Sequence, residues 1–391
     1  MLSLLNRARK SMGRVAIVVT TMALAACQPT TATRGGPAVD PSAPIPVALL
    51  VPSGSGQASD ELLARSLQNA ARLAISDLGS IKIDLRVYNT AGQPGQAQAM
   101  ATKAIDDGAK IILGPVFAQE ANAAGVAAAS RGVNVLAFSN NPDIAGGNVF
   151  ILGPTFQNTA VRLASFAVRQ GKSRIMIVHD QNQAGQIGRA AIEQGVARAG
   201  GSVVAVGSYA FSQNGVVQAA PQIAAAARAN NAQALFMTAD TAGALPLISQ
   251  LLADNGMGPA ATQFIGLTRW DIPSATLALP GVQGGWFALP DPNLYQQYQS
   301  RYQTAFGEAP HPISGLAYDG IAAIGALVKQ GKANALTGAA LTTGAGFVGV
   351  NGIFRLRSDG LNDRGLAVAQ IRNNQVVIID PAPRSFGGAG F

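Results

Sequence analysis

The chain has a single cysteine, two histidines and few charges, and each scarcity removes a class of protein. One cysteine makes neither an internal disulfide nor a thiolate zinc site. His179 and His311 stand in neither a G-x-S-x-G nor an H-E-x-x-H context, so hydrolase and zincin chemistry find no motif. Charged residues are 12% of the chain and apolar ones 48%, a balance that excludes disorder over most of its length. The glycines follow no three-residue period and no long heptad appears, which excludes collagen and coiled coil. No carboxylate cluster has metal-loop spacing. No dense Lys/Arg run with interleaved aromatics marks a nucleic-acid surface. Neither a cofactor, a metal nor a nucleic acid is therefore expected. What is present, 391 residues, suffices for about two domains of ordinary size.

The positive charge is unevenly placed. Of the formal +8, four charges are Arg7, Arg9, Lys10 and Arg14, ahead of an uncharged 12-residue run at 15–26. That run is too short to cross a hydrocarbon core of roughly 30 Å as a helix, and it has the form of a secretory signal. Removal of residues 1–26 brings the charge down to +4, so the basic pI is partly a property of the leader. The run ends in Leu24-Ala25-Ala26-Cys27, which resembles a bacterial lipobox. The resemblance implies that Cys27 becomes a lipidated N-terminus, each buried methylene contributing about 0.8 kcal/mol of membrane affinity. The alternative is an ordinary cleaved signal with a chance cysteine. Gln28, where inner-membrane retention in enteric bacteria favours Asp, points to the outer membrane. Residues 27–45, rich in Pro, Thr, Ala and Gly, read as a flexible tether.

From residue 46 onward the pattern alternates. Strands are expected at 46–52, 81–88, 110–113, 133–138, 174–179, 201–207, 234–238 and 263–267, with helices at 56–78, 95–107, 118–130, 156–169, 185–199, 216–229 and 243–253. Strands spaced by helices of this length imply parallel sheets covered on both faces. The expected fold class is α/β, with two doubly wound parallel-sheet lobes joined by a multi-segment hinge and split near Gly153-Pro154. Helices at 294–306 and 314–329 and strands at 352–357, 364–371 and 375–379 follow. The lobes thus exchange chain more than once: 46–152 with 288–340 forms lobe 1, 153–287 with 341–380 forms lobe 2, and 381–391 is a tail. Glycine-rich 338–352 suits a hinge, and Trp286-Phe287 a strand crossing between lobes.

Open α/β sheets bind ligands at the carboxyl ends of their strands. The loops there contribute Ser53, Phe117, Gln119, Ser139, Asn140, Asp180, Asn182, Asp240, Arg269 and Trp270 as cleft candidates. Several precede helices, where free backbone N–H groups favour an anion or a carbonyl oxygen. The same residue types also serve as helix caps and turns, and Trp270 equally suits a core. Gly171-Lys172-Ser173 lacks the earlier glycine of a phosphate loop, and Gly185-Gln-Ile-Gly188 is only a fragment of a dinucleotide fingerprint. No catalytic residue is assigned, and no enzyme is expected.

Signal, lipobox, tether and lobe pair together resemble the type I periplasmic-binding fold across about residues 45–380. Within it, segments 47–58, 85–94 (LRVYNTAGQP), 111–123 (IILGPVFAQEANA), 134–144 (NVLAFSNNPDI) and 150–164 are similar to the C-terminal domain of penicillin-binding-protein activator lipoproteins. That resemblance implies a non-enzymatic lipoprotein whose partner is a bifunctional peptidoglycan synthase. One departure is that only residues 28–45 separate Cys27 from the first strand, where better-known members carry a helical-repeat domain. The same fold also resembles solute-binding proteins of ABC-type amino-acid transporters, with a permease as partner. Those proteins hold a zwitterion with hydroxyls after the Gly-Pro step, where this chain reads Phe117-Ala118-Gln119 and keeps only Ser139 further on. An under-solvated zwitterion costs on the order of 1–3 kcal/mol per unpaired group, so a bulkier ligand or none is expected. A purely structural envelope lipoprotein is the third reading.

Overall fold

The computed structural model describes residues 36–258 and 261–387. The expected signal peptide and the Cys27 lipidation site lie outside the described residues. The first lobe winds through β1 (Ile45–Val51), α1 (Ala58–Asp77), β2 (Ile83–Asn89), α2 (Pro94–Asp106), β3 (Ile111–Leu113), α3 (Ala118–Ala129), β4 (Asn134–Ala137) and β5 (Val149–Ile151). These strands form one parallel sheet in the order β2-β1-β3-β4-β5. β1 shows why the run is almost wholly apolar. Val47, Leu49 and Val51 enter the core on one face, while Ala48 and Leu50 enter the core on the other. A strand covered on both faces has no solvent side on which to place polar residues.

The second lobe repeats the theme with α4 (Phe156–Arg169), β6 (Arg174–Asp180), α5 (Gln183–Arg198), β7 (Ser202–Tyr209), α6 (Gln213–Ala229), β8 (Ala234–Met237), α7 (Leu245–Leu252), β9 (Gln263–Gly266) and β10 (Trp286–Leu289). Its parallel strands run β7-β6-β8-β9-β10, the same order as in the first lobe. The chain then returns as α8 (Pro292–Phe306), α9 (Gly315–Val328), α10 (Gly338–Leu341), and a small antiparallel sheet of β11 (Phe347–Gly349), β12 (Gly352–Leu356) and β13 (Asn362–Arg364). Finally β14 (Ala367–Arg372) adds antiparallel to β10, and β15 (Gln375–Asp380) to β14.

The chain crosses between lobes three times: after Leu152, after Leu289, and between Arg364 and Ala367. The last crossing lies later than the boundary at 340. Phe347, Val350, Phe354 and Leu356 all enter the first lobe's core, so the glycine-rich 338–352 segment is packed structure rather than hinge. The run expected as one strand at 364–371 is divided, because Arg364 is bound into the first lobe while Ala367 pairs with Leu289 in the second. The tether also ends earlier than residue 45. Val39 is buried in the first lobe's core, and its N–H donates to the Ala333 carbonyl at 2.9 Å.

A buried polar network holds the crossings together. Asp319 on α9 is 0% exposed and Arg364 is 5% exposed, and their side chains pair at 3.3 Å. Asp319 also accepts from the Val350 N–H at 2.8 Å and from Asn351 Nδ2 at 3.0 Å. Arg364 donates to the Leu152 carbonyl. Asn362 Nδ2 donates to the Ile151 and Gly153 carbonyls at 2.7 and 3.0 Å, and Asn158 Nδ2 to the Asn362 carbonyl at 2.9 Å. Gly349 is required beside it, since a Cβ there would lie 2.0 Å from Asp319 Oδ1. In the second lobe, buried Arg162 binds the Leu366 carbonyl at 2.6 Å and Asp380 at 2.9 Å. Buried charges of this kind persist when each is paired and its remaining donors and acceptors are filled.

Candidate functional site

Two crossings leave from the carboxyl ends of parallel strands, β5 and β10, and are only a few residues long. Short connections of this kind bring the carboxyl edges of the two sheets to the lobe junction. In a sheet of order 2-1-3-4-5 the winding reverses between the first and third strands, and a crevice opens there. The first lobe's crevice lies between the loops after β1 and β3. The second lobe's lies between the loops after β6 and β8. These positions place Ser53 and Phe117 on one lobe and Asp180 and Asp240 on the other.

On the first lobe the chemistry is apolar. A cavity of about 360 Å³ is lined by Val116, Phe117, Phe138, Ile313, Leu316 and the Ser139-Asn140-Asn141 turn, together with Ala118, Gly153 and Pro154. Phe117 is 40% exposed, a large ring left open to the cleft. Gly114 makes the turn that presents it: its φ is +81°, and a Cβ would approach the Leu50 carbonyl to 2.4 Å. Ser139 is buried, and its Oγ accepts the Asn141 N–H at 3.1 Å. Asn140 and Gln119 are exposed and carry no side-chain hydrogen bond among the described residues. Ser53 is held away from ligand duty, for its hydroxyl donates to Glu61 at 2.6 Å and the neighbouring Gly54 N–H does likewise. Below Phe117, in the first turn of α3, Glu120 is fully buried with neither carboxyl oxygen in a hydrogen bond of normal geometry. Burial raises its pKa above the ordinary glutamate value, against the smaller opposing pull of the Thr90 hydroxyl and the Phe117 N–H.

On the second lobe the chemistry is acidic. Asp180 and Tyr209 are direct partners in the β6–β7 register, and Thr238 flanks Asp180 on the other side, donating to its Oδ2 at 3.2 Å. Asp180 Oδ1 accepts from the Asn182 N–H at 3.2 Å. Asn182 is the N-cap of α5, accepting from the Gly185 N–H at 2.8 Å. Asp240 is exposed and accepts the Gly243 N–H at 2.6 Å. Arg269 is tied to Asp271 at 2.6 Å. Trp270 is not a cleft residue. It is 0% exposed in the second lobe's core, packed on Gly266 and Gly285.

Sequence reasoning missed Tyr209 and Phe211, Ile313 and Leu316, and the buried Glu120. For the first pair the signal was there: two aromatics at the end of β7, a strand end left out of the candidate loops. Ile313 and Leu316 arrive from the returning chain and have no local signature. His179 is buried, its Nδ1 donating to the Asp180 carbonyl at 2.7 Å, which makes it a packed residue.

The arrangement is a two-sided crevice in which Ser53, Ser139 and Asn182 serve turns and caps while Phe117, Asn140 and Asp240 stay exposed. The family model described as periplasmic binding protein matches residues 44–375. No curated protein matches the chain. Among solved structures, one assigned to a branched-chain amino acid ABC transporter from Rhodospirillum rubrum is 19% identical over 86% of this chain and 100% of its own, with a TM-score of 0.72. An ABC transporter substrate-binding protein from Desulfitobacterium hafniense in complex with Leu is 17% identical, covers 86% and 100%, and has a TM-score of 0.62. A solute-binding protein of an ABC transporter from Rhodopseudomonas palustris BisB5, in complex with 3,4-dihydroxy benzoic acid, is 18% identical, covers 88% and 97%, and has a TM-score of 0.59. At these identities the likeness is one of fold, and the fold, its crevice and the matched model agree: the chain belongs to the periplasmic binding protein family.

Proposed function

We propose that this protein is a solute-binding component of an ABC-type transporter, anchored through lipidated Cys27, which captures a small organic solute between its lobes and presents it to a permease. The observation that carries the reading is the pair of like-wound lobes whose crevices meet at one junction, with a solute-sized cavity already formed on one side. The fold neighbours named as transporter proteins support it. Thermal unfolding against a panel of small solutes tests it. A solute held at 100 times its dissociation constant adds about 2.7 kcal/mol to stability, and no stabilisation across aliphatic, aromatic, cationic and anionic solutes would sink the reading.

A second reading, regulation of a bifunctional peptidoglycan synthase, is favoured by the activator-like segments at 85–94 and 134–144. The two differ in the membrane they need. Residues between Cys27 and the docked Val39 extend at most roughly 40 Å, so the domain stays near whichever membrane holds the lipid. A permease partner calls for the inner membrane, and the Gln28-based expectation of the outer membrane suits the synthase. Membrane fractionation together with crosslinking of partners in cells separates them. Cys27→Ser is expected to release the protein from membranes under either reading, and continued sedimentation with membranes would exclude the lipid anchor.

A further inference from the structure

The second lobe sets two carboxylates without a counter-charge beside its crevice, one of them buried and one exposed. Asp180 and Asp240 stand at the ends of β6 and β8, on either side of the second lobe's crevice, and neither forms an ion pair among the described residues. Asp240 uses one oxygen on the Gly243 N–H, and its Oδ2 has no partner there. Arg269, the cation on these loops, is taken up by Asp271. Beside Asp180, at the end of β7, stands Tyr209, 1% exposed, with a hydroxyl that makes no hydrogen bond of normal geometry. Both Asp180 and Asp240 act on that hydroxyl, and burial with them raises its pKa, so it stays a neutral donor and acceptor. Phe211, 61% exposed, lies beside Gly243, where it walls the Asp240 turn with an open ring face.

Unneutralised carboxylates, an unfilled hydroxyl and an exposed aromatic ring are the chemistry that receives an ammonium group. The first lobe contributes the opposite: an apolar bowl of Val116, Phe117, Phe138, Ile313 and Leu316 with no Lys, Arg or His among its lining residues. We propose that the solute is an organic amine, with an apolar, flat or aromatic body seated on Phe117 in the first lobe and a cationic nitrogen held by Asp240, Asp180 and Tyr209 in the second, and that a carboxylate on the solute is not required. The inference rests on the solute-capture reading above and narrows it to a class. It departs from a zwitterionic amino acid because the bowl offers no side-chain cation and only one buried hydroxyl, that of Ser139.

Three probes with the same ring and different charged groups make the test: 2-phenylethylamine, phenylalanine and 3-phenylpropionate, titrated calorimetrically into the purified protein. The expected result is that 2-phenylethylamine binds at least as tightly as phenylalanine, and that 3-phenylpropionate does not bind. Asp240→Asn is then expected to weaken 2-phenylethylamine by about tenfold to a hundredfold, as loss of a charge-assisted contact does. Phe117→Ala is expected to weaken all binding probes alike. Binding of 3-phenylpropionate, or phenylalanine binding more than tenfold tighter than the amine, overturns the amine class while leaving solute capture intact. If Asp240→Asn keeps a native melting transition and unchanged amine affinity, the assignment of the second-lobe site is overturned. If none of the three binds at millimolar concentration, the amine class falls, and solute capture stands or falls with the wider thermal panel.

Discussion

The two lobes share a strand order and differ at the same place. Each reverses its winding between its first and third parallel strands, and the loop after the third strand carries Phe117 in one lobe and Asp240 in the other. The backbone plan that makes a crevice is common to both, and what the crevice favours was set separately by a few loop residues. Carboxylates show the contrast most plainly. In the first lobe Glu120 is turned inward, buried under Phe117 and without a good partner, whereas in the second Asp240 faces solvent and stays free to meet a ligand. At the loop after its third strand, one lobe shows a ring over a buried acid, and the other shows an exposed acid beside a ring.

That comparison holds only while the two halves keep their positions, so the largest effect is expected at the crossings. Arg364→Leu leaves Asp319 buried without its counter-charge, and loss of one member of a buried pair costs about 3–5 kcal/mol. Chemical denaturation followed by far-UV circular dichroism measures it, and a loss below about 1 kcal/mol would show that the network is not what fixes the hinge.

Next in size is the buried acid of the first lobe. Because its folded pKa is raised, Glu120 contributes stability that is present below the ordinary glutamate value of about 4.3 and is lost as pH rises through the folded pKa. Glu120→Gln is therefore expected to stabilise the protein by about 1 kcal/mol near pH 7 and to match the parent near pH 4. A stabilisation independent of pH would point to packing instead.

The smallest effects on folding are expected at the crevice lips. Phe117→Ala and Asp240→Asn remove exposed groups, so each should change unfolding free energy by no more than about 0.5 kcal/mol. A large destabilisation by either would mean that the loop serves the core. Replacing Phe117 with serine, which restores a hydroxyl after the Gly-Pro step, sharpens the comparison further. It should raise leucine affinity relative to 2-phenylethylamine, read by competition calorimetry.

The strands that were legible in the sequence are those buried on both faces, such as β1 and β6, because a short continuous apolar run between helically spaced segments fits a covered parallel strand and little else. β5 and β11 were not legible as strands, being three residues long and defined by their neighbours rather than by their own pattern. The last crossing was hidden for a related reason. Nothing local in Arg364-Gly365-Leu366-Ala367 says that the first residue is bound to one lobe and the last to the other. In the crevice, loops at strand ends were legible as a set, but most of their polar side chains proved to serve the turns. Ser53, Asn182 and Ser139 are occupied, and Trp270 is core. Exposure, which marks Phe117, Phe211 and Asp240 as available, depends on long-range packing that no local pattern records.

The central claim is that two distinct jaws close on one solute. Spin labels at Val126→Cys on α3 and Val217→Cys on α6, both exposed positions on different lobes, report the inter-lobe distance by double electron–electron resonance in a Cys27→Ser background. The account predicts a shorter and narrower distance distribution when 2-phenylethylamine saturates the protein. An unchanged distribution at saturating, calorimetrically verified binding would contradict it.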